Sequence, residues 1–588
     1  MAILNVERSL NGLRWEMQSA DEHLAMTLAQ RFELPEVAAR ILAARGISLD
    51  EAEAFLYPTL KNHLPNPLTL KDMEKAANRM AQAINAGEPI GLMGDYDVDG
   101  ATSTAILKMF LERIGTTVYT FIPEREDGYG PNALKMQEFY DKGCRLVATL
   151  DCGMTAFEPI KVGTQIGLDI IVLDHHDPEK ELPIAYAVVN PKRLDEPVNH
   201  PCRYMAAVGV VFLFVVALNT ILRQQGFYKD KSEPNLISFL DLVAFGTVCD
   251  VVRLTGVNRL FVKAGLTQMK KGTNKGLNAL ASLAGLSEAP TAYHLGYVFG
   301  PRVNACGRVG HSDIGMRLLS CDNDIEATVL AQELEELNLQ RRDIETAVLL
   351  DAIEQAESKP STTPFIVVQG ENWHQGVVGI VAGRLKDRYN LPVFALSIEG
   401  DEVKGSSRSV CGVDLGTIVM NAISKGILTR GGGHPMAAGF SLSRDKIDAF
   451  IHHLQESIPE TDCQNRSVTL DIDGILDING ANLDLIQKIN LLSPFGEANP
   501  EPRFVIKDVI ISRTNLLKNG HIGCTLSGRG GGYLQAIAFR AADTELGHQL
   551  LTSRNTYFHV AGTLKQDTWR GQTKIQFQIQ DAVKASDI

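Results

Sequence analysis

The chain has 588 residues, too many for one hydrophobic core, so three or four domains are expected. Its 45% hydrophobic and 22% charged residues exclude long disorder, and a formal net charge of −13 excludes a uniformly basic nucleic-acid binder, so any such contact must come from a local basic groove. The nine cysteines form no CxxC pair, which argues against a disulfide framework or a thiolate zinc site and fits a reducing compartment.

The first residues, MAILNVERSL, carry charge early and lack an apolar secretion core, so a cytoplasmic location is expected. Residues 1–50 read as a helical lead-in. Over 51–320, short apolar runs alternate with helical patterns: Pro89–Met93, Leu146–Leu150, Ile170–Leu173 and Tyr186–Val189 read as strands, and Ala101–Arg113 as a helix closed by Gly115. Strands separated by helical crossovers predict an α/β domain with a doubly wound parallel sheet. Tyr204–Leu222 holds no charge, but its continuous apolar stretch is only about 14 residues, which suits a buried core helix rather than a membrane span.

Around 323–357, within a segment of 321–360, a charged and leucine-punctuated pattern runs without Gly or Pro. It predicts a connecting helix about 50 Å long. A second α/β domain is expected over 361–460. Beyond it, over 461–588, short β-rich runs bounded by Gly and Asn turns predict an OB-like β-barrel.

The candidate chemistry clusters just after the strands. Pro89–Met93 runs into Gly94-Asp-Tyr-Asp-Val-Asp-Gly100, and an extended chain there would put Asp95, Asp97 and Asp99 on one face. The next strands end in Asp151-Cys-Gly153 and Asp174-His-His176. In a doubly wound sheet these ends form the ligand crevice. Each motif alone reads as a solvated turn, a helix cap or a structural histidine; three in succession read as a metal site. Carboxylate and imidazole donors suit Mn²⁺ or Mg²⁺. Cys152 has no evident base partner and reads as a small packed side chain rather than a nucleophile.

GDYDVDGATS (94–103), LDCGMTA (150–156), LDHHD (173–177), FGTVCDVV (245–252) and GGGHPMAAGF (431–440) together resemble the DHH phosphoesterase family. The resemblance implies a metal site of Asp95, Asp97, Asp99, Asp151, His175 and Asp250 holding two divalent cations, with Asp151 bridging them. It places Asp174 and His176 behind or facing the substrate, and gives catalytic roles to Asp151, His175, His176 and His434. The family's pyrophosphatase branch has a metal-binding His where this chain has Met93, a poor ligand for a hard cation, which disfavours that branch.

PEREDGYG, GPRVNACGR and KGSSRS resemble the branch that degrades single-stranded DNA. That likeness implies Arg125, Ser406 and Arg408 around a 5′ end, Arg302, Asn304 and Arg308 on the backbone near the metals, and Gly432 and Gly433 donating N–H groups to the phosphate. Gly300–Arg308 is expected as a glycine-bounded loop, and Ser406–Arg408 as a turn. In the barrel, Lys518, Arg529, Arg540, Lys565, Arg570 and Lys574 interleave with Tyr533, Phe539, Tyr557 and Trp569, a pattern that suits single strands. The expected function is therefore 5′→3′ hydrolysis of single-stranded DNA in recombination and repair, by two-metal in-line attack of a bridging hydroxide. The expected partners are single-stranded DNA, a single-strand-binding protein and a helicase, with the chain monomeric and off the membrane. The rival readings are a family phosphatase acting on oligonucleotides or nucleotides, and an inactive DNA-binding scaffold on the same fold.

Overall fold

The computed structural model describes residues 2–124, 130–358, 363–410, 412–458, 468–553, 555–569 and 572–587. They fall into two compact units, Asn66–Asp250 with Gly265–Arg466, and Met1–Pro65 with Val251–Ala264 and Ser467–Ile588.

In the larger unit, β1 (Ile90–Gly94), β2 (Val118–Phe121), β3 (Leu146–Leu150), β4 (Asp169–Leu173) and β5 (Ala187–Val189) form an all-parallel sheet ordered β2-β1-β3-β4-β5. β1 and β3 are buried along their whole length, as near-continuous apolar runs must be when helices cover both faces. On one face Met93, Val147, Ile170 and Val172 pack with Met136, Phe139 and Ile160 from helices Ala133–Asp141 and Phe157–Gln165. The helix α1 (Val98–Arg113) and the helix Met73–Ala86 pack against the sheet as well. The chain leaves β1 toward β2 and returns to β3 on the other side, so the switch point lies between the carboxyl ends of β1 and β3.

The apolar segment is the helix α2 (Ala207–Gln224), long and apolar enough to cross a membrane but mostly buried inside the fold. Next come α3 (Leu240–Cys249) and α4 (Gly300–Val309). The stretch expected as a glycine-bounded loop is thus helical. Pro301 occupies the first turn, where a missing N–H costs no hydrogen bond. The long helix α5 (Asp324–Glu357) has 34 residues and is capped by the Asn323 side chain, which accepts from the N–H groups of Ile325 and Glu326. Its far end delivers Val348 and Ala352 to the core of the second α/β domain. Between its ends, Arg341 and Glu345 form a buried 2.6 Å ion pair.

That second domain comprises β6 (Ile366–Glu371), α6 (Gln375–Tyr389), β7 (Val393–Glu399), β8 (Glu402–Arg408), β9 (Arg430–His434) and β10 (Ala437–Ser443), in sheet order β9-β10-β8-β7-β6. Ser406–Arg408 is the end of strand β8, not a turn: Ser406 pairs with Ala395 on one side and Gly439 on the other.

The smaller unit holds the barrel. Phe504–Leu516 pairs with both Ile522–Gly528 and Tyr557–Trp569, which closes five strands on themselves. The N-terminal stretch is not only helical, because Arg14–Met17 is a strand parallel to Thr469–Ile472. The helices Glu22–Phe32, Glu36–Ala44 and Leu49–Leu56 share one apolar core with the barrel, Leu28, Ile41, Leu42 and Leu56 packing in the same cluster as Phe504, Leu526, Phe558 and Phe577. Arg259 pins this unit from inside. Its guanidinium donates to the carbonyls of Phe55 (2.7 Å), Leu491 (3.1 Å), Leu492 (2.9 Å) and Ser493 (2.7 Å), and burial pushes its pKa down to about 9.

A chain ending near Ile458 would strip the barrel from that shared core and leave the N-terminal helices with an uncovered apolar face. The expected result is aggregation, checked by gel filtration of the truncated protein. A soluble, monomeric product would contradict the shared core.

Candidate active site

The acidic motif turns sharply where β1 meets α1. A Cβ at Gly94 would lie 2.0 Å from the Thr104 hydroxyl, and one at Gly100 within 2.7 Å of the Asp95 backbone, so only glycine fits either position. Asp95 follows the strand, Asp97 is the N-cap of α1 and accepts from the Gly100 N–H (3.0 Å), and Asp99 sits in the first helical turn. The three acids therefore do not share one extended face. The helix redirects Asp99 to the N-terminus of α2, where it accepts from the N–H groups of Ala207 (2.7 Å) and Val208 (2.9 Å). After β3, Asp151 has φ of +59°, a left-handed conformation rare for a side-chain-bearing residue and often kept at working sites.

These elements converge. His175 Nε2 lies 3.3 Å from Asp151, 3.6 Å from Asp250 and 3.8 Å from Asp99. Donor atoms of Asp95, Asp97 and Asp151 lie within 4.8 Å of one another, as do those of Asp99, His175 and Asp250, and those of Asp151, His175 and His176. All six residues expected as metal ligands are thus brought together, in two groups beside Asp151.

Burial, and after it the neighbouring carboxylates, push Asp95, Asp151 and Asp250 well above the usual carboxylate range. Burial and then Asp97 push Asp99 up to about 7. Burial, followed by the charge of His176, pushes His175 down to about 3, leaving the neutral imidazole that can ligate. Among the described residues, Asp95 Oδ1 and Asp250 Oδ2 are buried without a hydrogen-bond partner. Such a set is costly as a protein-only arrangement and fits hard divalent cations, which supply the missing charge and bonds.

Asp174 is different. It is equally buried, yet bonds from His176 Nδ1 (2.8 Å) and from the Met154 (2.9 Å) and His175 (2.7 Å) N–H groups hold it well below the usual range. Its lone pairs are occupied, so it orients the His176 ring and holds the backbone of both histidines. Burial lowers His176, but the Asp174 bond outweighs that and raises it above its ordinary value. Burial, with the acids around them, pushes the Cys152 and Cys249 thiols well up, leaving both inert as nucleophiles.

The residues expected to hold substrate divide. Arg125 lies outside the described residues. Arg302 is engaged internally, pairing with Glu335 of α5 (2.6 Å) and donating to the Val298 carbonyl (2.7 Å). Arg308 donates to the Gly376 carbonyl (2.8 Å), tying α4 to α6. Asn304 reaches back to the acidic turn, its Oδ1 accepting from the Val98 N–H (3.1 Å) at the start of α1. Arg408 is half-buried beside Ser406 (3.4 Å), with no carboxylate partner among the described residues, and burial lowers its pKa. Gly379 of α6 leaves space against both: a Cβ there would lie 2.9 Å from the Ser406 hydroxyl and 3.4 Å from Arg408. Gly432 and Gly433 lie on the exposed strand β9, and His434 approaches Asp177 of the LDHHD segment at 3.5 Å. Sequence reasoning missed Glu335 and Asp177 as partners: Glu335 stands in no motif, and Asp177, though it closes LDHHD, follows the residues to which that motif assigns roles.

Asn304→Ala should remove a cap from the helix that carries Asp99 and raise the Mn²⁺ concentration needed for half-maximal activity by about five- to tenfold. Asn304→Asp keeps the acceptor and should restore most of that loss. An unchanged Mn²⁺ response in the alanine variant would leave Asn304 without this role.

Three family models match the chain: the DHH family N-terminal domain over residues 89–247, the DHHA1 domain over 362–460 and the RecJ OB domain over 472–581. The chain is 36% identical over 530 residues to the single-stranded-DNA-specific exonuclease RecJ of Escherichia coli (strain K12), covering 87% of this chain and 90% of that protein. It is 31% identical to the protein of the same description from Bacillus subtilis (strain 168), over 97% of this chain and 71% of that one. The crystal structure of RecJ in complex with Mn²⁺ from Thermus thermophilus matches with a TM-score of 0.81 at 29% identity, over 97% of this chain and 79% of that chain. The corresponding Mg²⁺ complex matches with a TM-score of 0.75 at 28% identity, over 97% and 78%.

Proposed function

The chain belongs to the RecJ family of single-stranded-DNA-specific exonucleases, and on that premise we propose that it works from the 5′ end, through the residues gathered at the switch point of its parallel sheet. It is a metal-dependent single-stranded-DNA exonuclease. The observation that carries the reading is the convergence of Asp95, Asp97, Asp99, Asp151, His175 and Asp250 in two donor groups that a third, of Asp151, His175 and His176, links.

Asp95, Asp97 and Asp151 would hold one cation, and Asp99, His175 and Asp250 the other, with Asp151 placed to serve both. Bound there, divalent cations polarise the phosphoryl oxygens and lower the pKa of water. The protein's own contribution is placement. Asp174 fixes both histidines, the N-terminus of α2 steadies the ionised form of Asp99, and Asn304 seats the first turn of α1. His176 is 40% exposed at its side chain and held toward its charged form, so it adds positive charge beside the scissile phosphate.

Ser406 and Arg408 are assigned to the terminal phosphate. Arg408 is largely desolvated and meets no acid among the described residues, so a bound phosphate would gain a charge-assisted bond at little reorganisation cost. Gly432, Gly433 and His434 are assigned to the backbone next to it. In the barrel, Tyr533 (77% exposed) and Phe539 (51% exposed) are available for stacking, whereas Phe504, Phe558 and Phe577 are core. Arg529 lies over the Tyr557 ring at 5.4 Å. Lys565 is held by Glu501, which takes it off the list of free phosphate contacts. Arg570 lies outside the described residues, as does the Trp569 side chain. A monomer in the cytoplasm, working with a single-strand-binding protein and a helicase during recombination and repair, fits this assignment. A family phosphatase would have no use for the barrel, and an inactive scaffold no reason to keep the whole acid set.

Two tests follow. Asp151→Asn should lower turnover by a thousandfold or more in order of magnitude while leaving single-strand binding in place; turnover within tenfold of wild type would remove the metal-site assignment. Arg408→Ala should weaken the preference for 5′-phosphorylated over 5′-blocked strands more than it slows a saturated reaction. The check is end-labelled linear strands beside a covalently closed circle, and cleavage of the circle at the linear rate would contradict digestion from a terminus.

A further inference from the structure

The helical segment leading into α4 presents two tyrosines to solvent. Tyr293 and Tyr297 are 62% and 73% exposed, and their rings stack on each other at 5.0 Å with an interplanar angle of 29°. Neither hydroxyl has a hydrogen-bond partner among the described residues. The inner side of the same segment is the opposite: Leu295 and Phe299 are fully buried. Leu295–Phe299 is a π-helical turn, a rare form that tends to mark working sites.

That inner side is fastened to the helix that ends at the metal-directed Asp250. The Cys249 thiol donates to the Leu295 carbonyl (3.3 Å), and the Phe299 ring meets Phe245 edge-on at 6.2 Å and 88°. Gly300 allows the approach, since a Cβ there would lie 2.7 Å from Cys249 Sγ. The tyrosine pair is thus a rigid aromatic surface on a segment bonded to the residue next to Asp250, in the same compact unit as the whole acid cluster.

We propose that Tyr293 and Tyr297 form a stacking platform for bases of the single strand whose reacting phosphate lies at the cluster; this rests on the exonuclease reading above. A chain of net charge −13 gains little from long-range attraction to a polyanion, so its hold on DNA depends on local contacts, to which stacking adds a part that does not need charge. Ring-on-base stacking supplies about 1–3 kcal/mol per base and tolerates any sequence, as an enzyme that advances along a strand requires. The stacked pair leaves outer ring faces open to a base, and its prior stacking removes rotamer freedom that binding would otherwise have to remove.

The test pairs tyrosine substitutions with abasic strands, using the full chain and Mn²⁺. On the wild-type enzyme, a single abasic site moved along a 5′-phosphorylated strand should raise KM about five- to a hundredfold at one or two positions. Tyr293→Ala/Tyr297→Ala should raise KM on the intact strand by a similar factor, affect kcat far less, and lose the sensitivity at those same positions. Tyr293→Phe/Tyr297→Phe should recover both. An alanine variant with wild-type KM, or with the abasic profile unchanged, would overturn the platform and leave the pair as a surface for a protein partner. Wild-type enzyme that fails to shorten linear strands would instead overturn the exonuclease reading itself, so the two failures are distinguishable.

Discussion

Like charge, concentrated and buried, is the constraint on which this structure turns. Asp95, Asp99 and Asp151 lie almost wholly out of solvent, Asp97 and Asp250 crowd the same space, and the nearest imidazole, His175, is held neutral. Desolvation and mutual repulsion both oppose such a cluster, and at Asp250 the charge of Lys192 offsets only part of them. Much of the surrounding architecture can be read as what holds the acids in place. The sheet reverses its order between β1 and β3, so that two strand ends open onto the same crevice. Glycines at 94 and 100 let the chain turn tightly enough to aim Asp99 away from Asp95. The amino end of α2 offers Asp99 two N–H donors, and Asp174 spends its own lone pairs on the histidines.

The second α/β domain is joined to this centre by more than proximity in sequence. α5 carries Val348 and Ala352 into the second core while Glu335, a few turns earlier, grips Arg302 of α4. Arg308 joins α4 to α6, and His434 meets Asp177 across the two domains. Arg302, Arg308 and His434, expected at the substrate, thus also make contacts that join elements of the two α/β domains. These contacts matter for the proposed reading, because Ser406 and Arg408 belong to the second α/β domain and the acids to the first.

The strands, the core helix and the long connecting helix were legible because each depends on a local signal: apolar runs of strand length, a charge-free stretch whose continuous apolar run breaks at Asn219, and 34 residues without Gly or Pro. The acids and His175 that converge in the structure were legible because they match family motifs, most of them just after a strand, although Asp250 follows the helix α3. Three features were not. GPRVNACGR reads as a loop from its glycines, but packing against α5 and α6 makes it a helix. Asp95, Asp97 and Asp99 alternate as a strand would present them, yet Asp97 caps a helix that splits them. The N-terminal helices give no hint that their partner is a barrel some 450 residues later, because a shared core is a property of tertiary packing, not of either segment.

The most direct measurement is a calorimetric titration of the metal-free full chain with Mn²⁺, beside the same titration of Asp151→Asn. Two Mn²⁺ ions per wild-type chain, with the variant losing at least one, are what the acid cluster predicts. A wild-type chain that binds no Mn²⁺ saturably, or a variant whose stoichiometry and affinity equal those of wild type, would contradict it.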